Sequence, residues 1–194
     1  MVRTQSQEKK DKFLNAALKL FASNGVGNTS TAEISRQAGA GAGTLFIYFP
    51  TKQDLIHELV LKIAQEQSDY VKSLLEPSLS ARETFFVIWT RSVRWFLENM
   101  DAYQYIQQIR DAGVVADAVV QKTGEYLSFY YVAIQKGLQE DTIKREPIEL
   151  IGSFLYHDIV AITNIVRGKT DPAQQDELIR MGFDLFWDGI KRQP

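Results

Sequence analysis

The apolar residues of this chain recur at three- and four-residue spacing, which places them on single faces of helices. Leu14, Ala17, Leu18 and Phe21 fall at i, i+3, i+4 and i+7, so a first helix is expected over roughly 8–24, with Gly25 ending it. Ser30 to Glu33 reads S-x-x-E, a capping box in which serine and glutamate each satisfy the other's backbone amide; it starts a second helix near Thr31. Gly39 then supplies the residue best suited to the left-handed conformation past a helix end. A further short helix is expected from about Ala42 to Tyr48, stopped because Pro50 disfavours helix at Phe49. Thr51 can cap a long helix over 52–75, which ends before Pro77. Phe13, Ile34, Leu45 and Phe49 are the expected core of this first region.

The remainder reads as helices over about 81–100, 101–112, 115–140, 147–167 and 172–191. The last two each begin at proline, a favoured first-turn residue. Each also carries two apolar stripes where a surface helix needs only one. In the first of them, Ile148, Ile151, Leu155, Ile159, Ile162 and Val166 oppose Leu150, Phe154, Ala161 and Ile165. In the second, Leu178, Met181, Gly182, Leu185 and Gly189 oppose Ile179, Phe183, Phe186 and Ile190. Burial on both sides implies a partner, and two helices from each of two subunits make a four-helix interface. Ile151, Leu155, Ile162, Leu178, Gly182 and Leu185 are the expected contact positions. The fold class is therefore all-α: an N-terminal three-helix helix-turn-helix domain over 1–52 joined to a C-terminal helical bundle over 53–194, homodimeric.

Two short helices joined by a glycine turn form the unit that many proteins lay in the DNA major groove. Gly43 would let a nucleic-acid backbone approach closely, Thr44 and Tyr48 can donate to phosphates or base edges, and Lys52 can neutralise a phosphate. Charge agrees. Through Lys52 the chain holds seven basic and three acidic residues, net +4, within an overall charge of −2, so the remainder carries −6. A basic segment on an acidic body suits orientation on a polyanion. The run Gly39 to Gly43 has no preceding strand and no Gly-Lys-Ser/Thr, so it is not read as a nucleotide-binding loop.

These residues resemble the TetR-type transcriptional regulators. The resemblance rests on Leu20-Phe21 with Gly25, Thr29-Ser30-Thr31, Glu33-Ile34-Ser35, Ala38-Gly39, Gly43-Thr44-Leu45, Tyr48-Phe49 and Lys52 to Leu55, about the first quarter of the chain. It implies DNA contact by Thr31, Arg36, Gly43, Thr44, Phe46, Ile47, Tyr48 and Lys52. It also implies a dimer on a palindromic operator, released by a small apolar or amphipathic effector. Ligand binding would shift the population of arrangements of the long helix over 52–75 and so the separation of the two readers. Several positions depart from the family pattern, among them Ala42, which stands where a polar residue is common. Ala40 and Gly41 stand where Val-Ser is common, and Phe46 stands where tyrosine is usual. The reading helix is thus poor in hydrogen-bonding groups, and reliance on apolar contact, backbone amides and DNA shape is expected.

An aromatic-rich bundle with a few polar groups is the usual composition of an apolar pocket. Trp89, Phe96, Tyr103, Tyr126, Phe129, Tyr130 and His157 are the effector candidates. No catalytic or metal site is expected, and no cofactor: there are two histidines, no cysteine, and no HExxH or GxSxG. The absence of cysteine, a polar N-terminus and the lack of a run of about 18 apolar residues point to a cytoplasmic protein without a membrane span. The alternative is a helical interaction module whose helix-turn-helix contacts protein rather than DNA. Salt dependence separates the two, because phosphate binding weakens steeply as salt rises.

Overall fold

The computed structural model describes residues 5–41, 43–113 and 115–193. Among them are ten α-helices and one isolated antiparallel bridge, between Ile143 and Lys191. The helices are α1 (Gln5–Asn24), α2 (Thr31–Gln37), α3 (Leu45–Tyr48), α4 (Lys52–Lys72), α5 (Ala81–Glu98), α6 (Met100–Ala112), α7 (Asp117–Tyr126), α8 (Phe129–Gln139), α9 (Ile148–Val166) and α10 (Pro172–Ile190). They form two compact units, residues 1–64 with 99–123, and residues 65–98 with 124–194. The boundary expected at 52/53 falls inside the first unit.

The reason lies in what the first unit needs for a core. The three N-terminal helices supply Phe13, Leu14, Ala17, Phe21, Ile34 and Leu45, and Phe49 follows, all buried. The first half of α4 adds Leu55, Ile56, Leu59, Val60 and Ile63. Helix α6 then packs on α1. The Tyr105 ring stacks on Phe21 at 5.7 Å, its hydroxyl donates to the Ile56 carbonyl at 3.0 Å, and the Gln108 amide donates to the Ala22 carbonyl. Burial pushes the Tyr105 phenol well above its ordinary range, so it stays a neutral donor.

In the second unit α9 packs on α5, α8 and α10. Trp89 of α5 is its largest buried side chain: the indole N–H donates to the Ile179 carbonyl at 2.9 Å and the ring stacks on Phe186. Gly182 is a packing requirement of α10. A Cβ there would stand 3.1 Å from side-chain atoms of both Ile162 and Trp89.

Several details differ from the sequence expectations. The single helix over 115–140 is two, α7 and α8. Tyr130 N–H turns to the Leu127 carbonyl, and the Tyr126 carbonyl instead accepts from Ser68 Oγ at 2.7 Å and Lys72 Nζ at 3.1 Å. The two stripes of α9 are not equivalent in burial. Ile151, Leu155 and Ile162 are buried within the protomer, while Leu150, Phe154 and Ile165 stand exposed. On α10 the expected stripe divides. Leu185 is 78% exposed and Leu178 half-buried, whereas Gly182 sits against Ile162 and Trp89. Finally, α9 is long and apolar enough by composition to cross a membrane, with 28% of that window buried. Its interruptions at His157, Asp158 and Asn164 do not lower the average below that level, because both stripes are apolar.

Candidate nucleic-acid interface

The reader is built by local chemistry. The capping box forms as expected: Ser30 N–H donates to Glu33 Oε2 at 2.8 Å and Glu33 N–H to Ser30 Oγ at 3.2 Å. These bonds from the Ser30 amide and hydroxyl hold the Glu33 carboxyl below its ordinary pKa. Gly39 takes φ +69° at the end of α2, with Ala40 N–H returning to the Ser35 carbonyl at 2.9 Å. The expected helix start at Ala42 lies outside the described residues. Gly43 and Thr44 form a turn, so α3 is a single turn beginning at Leu45.

That turn is oriented by its anchors. Leu45 and Phe49 are fully buried. Ile47, two residues after Leu45, points about 200° round the helix from it. It is accordingly the crest, 77% exposed, with Phe46 beside it at 46%. Tyr48 is half-buried, its ring 5.8 Å from that of Phe13. Thr44 stands at the helix start without bonding a helix amide. Gly43 has no packing reason to be glycine, since its φ is unexceptional and a Cβ would meet nothing within 4 Å. Arg36 is exposed and Thr31 half-buried on α2.

Lys52 behaves differently from expectation. Its ammonium donates to the Val26 carbonyl at 2.6 Å and lies 5.8 Å from the centre of the Phe21 ring. It is held inward, tying the start of α4 to the α1–α2 loop, rather than presented outward. The start of α4 is closed by a second capping pair, Thr51 N–H to Asp54 Oδ2 at 2.9 Å and Asp54 N–H to Thr51 Oγ at 3.1 Å.

The effector candidates are divided between the two units. Tyr103 is buried in the first unit. His157 is exposed on the outer side of α9, two residues round from the buried Leu155. Trp89, Phe96 and Phe129 are buried in the second unit, and Tyr126 is half-buried there. The Tyr130 hydroxyl shares a hydrogen bond of 2.8 Å with Ser92, and burial raises its pKa. Sequence reasoning passed over Arg91 of α5. Its guanidinium lies 4.0 Å from the Tyr70 ring centre, and its two terminal nitrogens reach only neutral hydroxyls, Tyr70 at 3.3 Å and Ser73 at 3.4 Å. Arg91 Nε is buried without a partner. No periodicity signals such a group; only the packed structure does.

On the outer side of α9 and α10, Leu150, Phe154 and Leu185 line a groove of about 460 Å³ with Asp158. Partial burial there raises the Asp158 pKa.

An α2–turn–α3 pair with its second helix seated on Leu45 and Phe49 and its crest outward is a helix-turn-helix of the class that reads duplex DNA. Comparison with known proteins takes the assignment further. Residues 13–59 match the profile of the family described as bacterial regulatory proteins, tetR family. The HTH-type transcriptional regulator LuxR of Vibrio harveyi is 30% identical over 81 residues, 42% of this chain, and the match spans 40% of that regulator's length. A crystal structure assigned to the tetR family, from Shewanella sp. PV-4, superposes with a TM-score of 0.88 at 28% identity, covering 98% of this chain and 100% of that one. The transcriptional regulator FadR from Bacillus subtilis, in complex with stearoyl-CoA, shares the fold at a TM-score of 0.76 and 20% identity, covering 93% of this chain and 98% of its own. Residues 13–59 thus carry a tetR-family regulatory segment, and the chain as a whole is similar to TetR-type transcriptional regulators.

Proposed function

We propose that this protein binds a palindromic operator as a homodimer, represses transcription from it, and releases it on binding a small apolar or amphipathic effector. The observation that carries the reading is the outward crest of α3, held by Leu45 and Phe49 on the basic N-terminal segment. Arg36, Thr44 and Tyr48 of the same segment carry groups able to bond phosphates or bases.

The dimer is proposed on the outer faces of α9 and α10. Leu150, Phe154, Ile165, Met181 and Leu185 are large apolar side chains left exposed on two successive helices. A lone water-facing helix does not need this second stripe. A two-fold copy of the same pair would cover it.

The effector reading rests on similarity to TetR-type regulators and on the second unit's buried aromatics. Arg91 would hold an acidic head group, because its guanidinium has neutral partners and an unsatisfied Nε. A buried donor without a partner costs about 1–3 kcal/mol, which a bound carboxylate or phosphate would recover. The FadR relative binds stearoyl-CoA, an amphiphile of this kind.

The test is selection from a random duplex library, followed by affinity against salt for the enriched sequence. An enriched palindrome whose binding weakens steeply with salt supports the reading. Binding without sequence enrichment and with a flat salt response refutes it. Release of the selected duplex by stearoyl-CoA, reduced in R91A, tests the effector.

A further inference from the structure

We infer that α3 reads its operator through thymine methyl groups, with Ile47 and Phe46 as the residues that determine specificity. The inference rests on the DNA-binding reading and names what that site recognises.

Three observations carry it. The most outward position of the reading helix is an isoleucine at 77% exposure, and its exposed neighbour is a phenylalanine. The anchoring of Leu45 and Phe49 leaves no rotation of α3 that would bring a polar side chain to the crest instead. Gly43, beside them, leaves open space where a side chain would fit, so the helix can press its apolar crest deep against its target. In the major groove the apolar feature among base edges is the C5 methyl of thymine; the other edges are hydrogen-bond donors and acceptors. Ile47 and Phe46 cannot satisfy those, and burying a donor or acceptor against them would oppose binding. Methyl contact is the recognition their chemistry permits. The half-sites should therefore hold thymines where α3 docks, with Thr44, Tyr48 and Arg36 supplying the polar contacts around them.

Deoxyuridine pairs as thymidine does but lacks the methyl. The experiment replaces each thymine of the selected operator in turn by uracil and measures affinity for the wild-type protein, I47A and F46A. The expected result is a loss of about four-fold at one or two thymines per half-site, the effect of one buried methyl group. At those thymines I47A or F46A should bind the thymine and uracil duplexes equally. Uracil effects under 1.5-fold everywhere overturn the inference. So do uracil effects of the same size in wild type and both variants, which would mean the methyl acts through DNA shape. If no operator is enriched at all, the DNA-binding reading fails together with the inference. An operator that is enriched but indifferent to uracil removes the inference alone. Because both side chains are exposed, I47A and F46A should keep the wild-type unfolding temperature, which separates lost recognition from lost fold.

Discussion

Replacing Lys52 by methionine keeps most of the side chain's stem and removes its charge. In this structure the ammonium bonds the Val26 carbonyl at 2.6 Å and sits over the Phe21 ring. A hydrogen bond from a charged group contributes about 1.5–3 kcal/mol, and an exposed cation–π contact about 0.5–1 kcal/mol. Val26 is only half-buried, so water recovers part of the loss when the ammonium is gone. A net destabilisation of about 1–2 kcal/mol is expected, a fall in Tm of roughly 2–8 °C for a chain of this size. Thermal unfolding followed by circular dichroism measures it. DNA affinity should fall as the α1–α2 loop loosens, while the slope of log affinity against log salt stays unchanged, since no phosphate contact is lost. A phosphate contact would give the opposite pair of results: unchanged Tm, and a slope reduced by about one per protomer. That pair would refute the inward role of Lys52.

Four further outcomes follow from the geometry. G43A should leave Tm unchanged or slightly raised, because its Cβ meets nothing and alanine restricts the unfolded chain. The same variant should bind the operator more weakly, measured by fluorescence anisotropy. L185E should convert a dimer to a monomer in sedimentation equilibrium with its helix content intact, since Leu185 is exposed in the protomer. Burying a leucine contributes about 1.5–3 kcal/mol, and a two-fold interface counts it twice. L155A should instead lower stability by about 2–5 kcal/mol, read in urea unfolding, because Leu155 lies in the protomer core. Glu33 has a folded-state pKa below its ordinary 4.5, lowered first by the Ser30 amide and then by the Ser30 hydroxyl. Its contribution is therefore present above pH 4.5 and lost as pH falls through the lowered value. The stability difference between wild type and E33Q should shrink below pH 4.5 in acid titrations of unfolding.

What could be read from the chain alone, and what could not, divides by the range of the interaction. The reader was legible because its instructions are local. Ser30 and Glu33 are three residues apart, Gly39 needs only its own φ, and Leu45 and Phe49 share a face by spacing. The Ser80–Glu83 pair at the start of α5 carries the same S-x-x-E signal and forms the same two bonds, at 2.8 and 3.3 Å, though it was passed over. The bond from Lys52 to the Val26 carbonyl is not legible in the sequence, because the two lie 26 residues apart across a loop whose path no pattern specifies. The division of 115–140 into α7 and α8 depends on Ser68 and Lys72 reaching the Tyr126 carbonyl, again from a distant helix. The two stripes of α9 show the limit most clearly. Periodicity separates Ile151, Leu155 and Ile162 from Leu150, Phe154 and Ile165 but ranks neither, because both are apolar. On the buried side Gly182 of α10 lies close against Ile162 and Trp89, where a Cβ would stand 3.1 Å from side-chain atoms of both. The other stripe is left outside by subtraction. The surface that the proposed second protomer must cover is thus set by how α9 packs on α5, α8 and α10, and not by periodicity within α9 itself.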